Sequence, residues 1–161
     1  MITEEINKAV ADNKNRPMYL MILDIDNFKS VNDSYGHYFG DEVIKSFADS
    51  LRISVGGRGL AGRIGGDEFM VLLKDVSVEE VRIMLKSMRK GLKMLLAQKQ
   101  PEYLFSTSIG ISQFSKDGTD FETLFKIADA ALYIAKEKGK DRYIIYDYDK
   151  HGNILHLVMN L

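Results

Sequence analysis

The chain has 161 residues, 45% hydrophobic and 28% charged, and its 22 Lys+Arg against 23 Asp+Glu leave a net charge of −1. That mixture fits one soluble globular domain, which at this size buries about 70% of the surface its unfolded chain exposes, and the absence of cysteine excludes a disulfide scaffold, a zinc–thiolate site and a cysteine nucleophile. No apolar run reaches the ~20 residues of a membrane span, no signal-peptide core opens the chain, and the near-zero charge argues against general nucleic-acid binding, so a cytoplasmic protein is expected.

Residues 2–13 read as a polar helix. Residues 18–25, Met-Tyr-Leu-Met-Ile-Leu-Asp-Ile, form a short apolar run ended by acids, which reads as a buried strand. Asn27-Phe28-Lys29 then opens a short helix. Val43, Ile44, Phe47, Ala48 and Leu51 recur at helical spacing and predict a helix over roughly 40–54. Two apolar runs, 59–64 and 68–73, flank Gly65-Gly66-Asp67, a hairpin signal because tight turns need positive φ. Val78, Val81, Met84, Leu85, Met88, Leu92 and Leu95 give 77–98 one apolar helical face. Residues 103–112 alternate as a strand, 120–138 form a third long helix stopped by Lys138-Gly139, and 143–146 are a final strand.

The order β-α-β-β-α-β-α-β predicts an α+β sandwich: a mainly antiparallel central sheet flanked by helices, ferredoxin-like or nucleotidyl-cyclase-like. No repeat, linker or low-complexity segment divides residues 1–147. Residues 148–161 read as an extension, with 154–158 as a strand of an extra hairpin or the start of a link to another domain.

The chemistry concentrates at strand ends. The first strand ends in Asp24-Ile25-Asp26, and the hairpin tip carries Asp67-Glu68. If the hairpin lies beside that strand, up to four carboxylates meet at one sheet edge, a costly arrangement unless a hard cation such as Mg²⁺ sits among them. A divalent ion at such a cluster points to phosphate chemistry. The plain alternative is that acids cap wet strand ends; it suits Asp26 alone better than Asp24 with Asp67 and Glu68. The backbone N–H groups after Asn27, with Lys29, form a phosphate-ready helix start. Lys136, Lys138 and Lys140 at the end of the third helix taken singly only complement its dipole.

Several patterns are decoys. Gly57-Arg-Gly-Leu-Ala-Gly62 matches G-x-G-x-x-G but follows a helix and enters a strand, the reverse of a dinucleotide fingerprint. Asp24-Ile-Asp26 opens like a calcium loop, yet Lys29 stands where that loop needs glycine. The three histidines, at 37, 151 and 156, lack ligand spacing.

Gly65-Gly66-Asp67-Glu68-Phe69, preceded by Asp24-Ile-Asp-Asn-Phe-Lys29, resembles the GGDEF family of diguanylate cyclases. The likeness continues through Asn32-Asp-Ser-Tyr-Gly-His37, Gly40-Asp-Glu42, Ser108-Ile-Gly110 and Ala128-Asp-Ala-Ala-Leu-Tyr-Ile-Ala-Lys136, in order over roughly residues 2–147. The resemblance implies condensation of two GTP into cyclic di-GMP with release of two pyrophosphates, each domain holding one GTP and facing a second GGDEF domain in a transient homodimer. It implies that Asp24, the carbonyl of Ile25, Asp67 and Glu68 bind Mg²⁺, with Mn²⁺ as an alternative, and that Glu68 completes the metal site or helps deprotonate the 3′-hydroxyl. Asn32 and Asp41 match the guanine-reading positions, and a carboxylate suits the N1–H and N2–H donors of guanine. Gly65 and Gly66 would let the backbone approach the nucleotide. The backbone at Asn27 and Phe28, with Lys29, Lys136 and Lys140, would hold the terminal phosphates.

There are departures. Gly56-Gly57-Arg58-Gly59 stands where the family carries its R-x-x-D feedback site, which predicts no product inhibition there. Gly139-Lys140-Asp141 replaces G-R-N; the lysine keeps the charge and gives up the bidentate grip. The family's usual D-x-L-T-x-L-x-N-R opening is missing, in keeping with a piece of a longer sensor protein whose regulatory part pairs two cyclase domains. The competing reading is a GTP-binding module without turnover; a product receptor and a purely structural domain fit the residues less well.

Overall fold

The computed structural model describes residues 1–154 and 156–159. In chain order it contains α1 (Ile2–Ala11), β1 (Met18–Ile25), α2 (Phe28–Tyr35), α3 (His37–Val55), β2 (Gly59–Gly65), β3 (Glu68–Lys74), α4 (Val78–Lys99), β4 (Thr107–Gln113), α5 (Phe121–Glu137), β5 (Arg142–Ile145) and the single turns α6 (Tyr148–His151) and α7 (His156–Met159). The strands form one sheet in the order β2-β3-β1-β4-β5. Only the β4–β5 pair is parallel; β1 pairs antiparallel with both neighbours, as β2 does with β3. The expected mainly antiparallel sandwich is therefore what forms.

All eight residues of β1 are buried because helices cover both faces of the central strand. Tyr19, Met21, Leu23 and Ile25 point to the layer containing Val43, Phe47 and Leu51 of α3 and Leu85 and Leu92 of α4. Leu20 and Ile22 point the other way, to Ile6 and Val10 of α1 and Leu124, Ala128 and Leu132 of α5. Alternation places Asp24 on the α5 side. On β4 that side carries Ser108, Gly110 and Ser112. A Cβ on Gly110 would stand 2.0 Å from the Ala128 carbonyl oxygen and 2.1 Å from the Leu132 nitrogen. The missing side chain is what lets α5 lie against the sheet, and so brings its polar residues to the end of β1.

Three boundaries differ from the sequence reading by two residues or more, and the segment 154–158 differs in kind. The helix expected over 40–54 begins at His37, where exposed His37 and Tyr38 give no apolar period to detect. The strand expected over 103–112 begins only at Thr107: Tyr103 and Phe105 lie outside it and pack against each other with tilted rings, centroids 4.6 Å apart. The polar helix expected over 2–13 ends at Ala11. No hairpin forms over 154–158, since His156–Met159 is a helical turn and Leu155, like Asn160 and Leu161, lies outside the described residues. Ile154 is buried with Ile127, Ala130 and Ala131 of α5.

Candidate active site

The β1–β3 register sets Asp24 opposite Glu68. The two-residue turn Gly66-Asp67 folds back beside them, and the Ile25 N–H donates to the Asp67 carbonyl oxygen at 3.4 Å. Gly66 holds φ at +51°, and a Cβ there or on Gly65 would meet nothing within 4 Å, so the turn presents open backbone. Arg63 staples it, donating from Nε to the Gly66 carbonyl at 2.7 Å. Ile25 itself buries its side chain in the α3–α4 layer.

Above this edge lies the last turn of α5, from which Lys136 pairs with Asp24 Oδ2. Asp24 Oδ1 is buried and accepts no hydrogen bond. Burial and the adjacent Asp67 carboxyl push the Asp24 carboxyl up to about 7, against the opposing pull of Lys136. Glu68 is raised by burial and then by the charge of Asp129. Lys136 also stands raised: burial alone would lower it, but Asp24, Glu68 and Asp67 more than offset that. Three carboxyl groups, Asp24, Asp67 and Glu68, act on the single ammonium of Lys136, so one cation does not balance the acids around it. An orphaned carboxylate oxygen in a region of excess negative charge, bounded by hard oxygen donors, suits a divalent cation such as Mg²⁺.

The expectation of four converging carboxylates is corrected in one respect. Asp26 turns away from the group: it accepts from Ser106 Oγ and Ser108 Oγ, both at 2.6 Å, and from the Asp141 N–H at 3.0 Å. Among the described residues no three carboxylates or histidines are arranged as a ready metal cage; Asp24, Asp67 and Glu68 gather around Lys136 instead.

A second group lies at the start of α2. Asn27 has φ +54° and its side chain does not cap the helix. Its Oδ1 accepts from Lys140 Nζ at 2.6 Å, while its carbonyl oxygen receives Ser30 N–H at 2.9 Å. Phe28 is half-buried against the core, and Lys29 is exposed in the first turn. A third group follows at the α2–α3 crossing. Half-buried Asn32 sits so close to Gly40 that a Cβ there would fall 1.8 Å from Asn32 Oδ1, and Asp41 is exposed one residue on.

Sequence reasoning missed Asp129, the structural role of Asp26, and the pairing of Arg89 and Lys93 with Asp141. Asp129 precedes Lys136 by seven residues, two helical turns, so a helical projection would have put both on one face. Asp141 is 48 residues from Lys93 and 52 from Arg89, and nothing local signals that contact.

The family description "Diguanylate cyclase, GGDEF domain" matches residues 1–142. Among relatives, the probable diguanylate cyclase DgcC of Escherichia coli K12 is 36% identical over 128 residues, covering 80% of this chain and 34% of the relative. DgcT of the same organism, also described as a probable diguanylate cyclase, is 34% identical over 147 residues, 89% of this chain and 32% of its own length. The chain thus spans about a third of the curated relatives it matches. Among solved structures, the GGDEF domain of Caulobacter crescentus DgcB in complex with c-di-GMP superposes with a TM-score of 0.77 at 28% identity, covering 88% of this chain and 86% of that one. The active GGEEF domain of a Vibrio cholerae diguanylate cyclase gives 0.76 at 28%, covering 91% and 94%.

Proposed function

The chain belongs to the GGDEF family of diguanylate cyclases, and from that membership we propose that residues 1–147 hold one GTP and condense it with a second, held by another copy, into cyclic di-GMP. In each half-reaction the 3′-oxygen of one GTP bonds to the α-phosphorus of the other, and the bond to the bridging oxygen of the β-phosphate breaks. Pyrophosphate leaves with that electron pair, and the 3′-hydroxyl proton passes to a base. Two half-reactions release two pyrophosphates.

Asp24, the Ile25 carbonyl, Asp67 and Glu68 would hold Mg²⁺ or Mn²⁺, which when bound neutralises charge on the phosphate oxygens. Lys136 is ready to move from Asp24 to phosphate once the acids have another cation. Glu68 would complete the metal site or help deprotonate the 3′-hydroxyl. The open backbone of Gly65 and Gly66 would lie along the nucleotide. Asn27, Phe28 and Lys29 at the α2 start, with Lys140, would grip the terminal phosphates. Asn32 and Asp41 would read guanine. A GTP-consuming reaction fits a cytoplasmic location, and no described helix is long and apolar enough to cross a membrane. Residues 148–161 serve as an extension or link, and pairing of two cyclase domains falls to a regulatory part of a longer protein.

The observation that carries this reading is the meeting of Asp24, Asp67, Glu68 and Lys136 at one sheet edge. The test is incubation with GTP and Mg²⁺ over a range of protein concentrations, with cyclic di-GMP quantified by mass spectrometry. A rate per protein that rises with concentration supports the two-copy reaction. The competing reading is a GTP-binding module without turnover, motivated by Lys140, which keeps the charge and gives up the bidentate grip of an arginine. GTP binding with no product, even from two fused copies, would establish that reading instead.

A further inference from the structure

Between α5 and β5 the chain passes through three consecutive residues with positive φ: Gly139 at +110°, Lys140 at +62° and Asp141 at +47°. Two adjacent non-glycine residues in the left-handed region persist only where surrounding contacts over-determine them. Those contacts are present on every side. The Lys140 N–H donates to the Ala135 carbonyl at 3.0 Å, and Arg142 Nε donates to the Lys140 carbonyl at 2.9 Å. The Asp141 N–H reaches the buried Asp26 carboxylate, which is 5% exposed. From α4, Arg89 Nη2 donates to the Asp141 carbonyl and, at 2.8 Å, to its Oδ1, while Lys93 Nζ donates to Oδ2 at 2.6 Å.

Ion pairs as exposed as Lys93–Asp141, 45% and 41%, contribute little to stability. Their effect is geometric: they fix the backbone on the far side of Lys140, whose ammonium then stands on Asn27 Oδ1 over the α2 start. Closing the end of α5 would need only Gly139; a helix stop gives no reason to force the next two residues into the left-handed region.

We propose that Asp141 is a positioning residue: held by Arg89 and Lys93 of α4 and by Asp26 at the end of β1, it sets where the Lys140 ammonium meets the terminal phosphates of the nucleotide. The inference rests on the GTP reading above. It makes α4, which contributes no residue to the proposed nucleotide contacts, a determinant of triphosphate affinity.

Calorimetric binding of 3′-deoxy-GTP, which cannot cyclise, is measured with Mg²⁺ for the parent protein, Asp141→Ala, Lys140→Ala and the double variant. Asp141→Ala should weaken binding about five- to twentyfold, and the double variant should bind no more weakly than Lys140→Ala alone, the signature of residues acting through one contact. GMP, lacking terminal phosphates, should bind Asp141→Ala as it binds the parent. The pair Arg89→Ala and Lys93→Ala, which removes the α4 contacts to Asp141, should reproduce the triphosphate-selective loss, and it carries the test if Asp141→Ala does not fold. Equal losses from Asp141→Ala with and without Lys140, or equal losses for GMP and the triphosphate, would overturn the proposal while leaving the GTP reading intact. Failure of the parent to bind 3′-deoxy-GTP would overturn both.

Discussion

Asp24 and Asp26 stand two residues apart at the end of one strand and are almost equally buried, 7% and 5% exposed, yet their surroundings are opposite. Asp26 has two serine hydroxyls and a backbone N–H and shares no ion pair among the described residues. Asp24 has one lysine, an acidic neighbour and an oxygen with no partner. A buried carboxylate with its acceptors filled holds a structure together; one left short of donors, with its pKa driven up, is available for chemistry. The contrast separates scaffold from site more sharply than burial or residue type does.

Substitution breaks that contrast from either side. The largest effect is expected on activity: Asp67→Asn, which removes one charge beside Asp24, should reduce cyclic di-GMP formation by about three orders of magnitude or more while leaving the circular dichroism spectrum unchanged. Retained turnover would remove Asp67 from the metal role. The complementary change, Asp26→Ala, strands two hydroxyls and an N–H and should cost about 2–4 kcal/mol in urea unfolding. Asp26→Asn, which keeps an acceptor, should cost less than half of that. Gly110→Ala tests how the two regions are brought together. Its methyl group would collide with α5 backbone, so a loss of about 1–3 kcal/mol is expected with a fall in activity as Lys136 is displaced.

The smallest effect sharpens the comparison through pH. In the metal-free protein the Asp24 carboxyl is raised from its ordinary 3.8 to about 7, so between those values the folded state binds more protons than the unfolded one. The contribution of Asp24 to stability should therefore fall as pH rises from about 4 to 7. Asp24→Asn should flatten that decline in thermal melts at 1 mM EDTA.

Much of this was legible in the sequence, and the reasons are specific. The 18–25 run is continuous because β1 is covered on both faces, and Gly65-Gly66 marks the turn because a tight reversal needs positive φ. The amphipathic periods of 77–98 and 120–138 each reflect one wet face and one buried face. What escaped depends on distant parts of the chain. Ser106 and Ser108 look like strand alternation until Asp26 is seen bonded to both, 80 and 82 residues away. The start of α3 is silent because its first turn is polar and aromatic, and because Gly40, which a propensity argument counts against a helix, is there to accommodate Asn32. Lys136 reads as a helix-dipole lysine; only packing of α5 onto Gly110 reveals it as the counter-ion of Asp24.

The central claim is that Asp24, Asp67 and Glu68 act as one cation-binding unit. Mn²⁺ binding followed by electron paramagnetic resonance, in the presence of 3′-deoxy-GTP, tests it most directly. One tightly held ion per chain in the parent, with affinity lowered at least tenfold in both Asp24→Asn and Asp67→Asn and by much less in Asp26→Asn, is the predicted result. Equal affinity in the parent and in the Asp24 and Asp67 variants would contradict it.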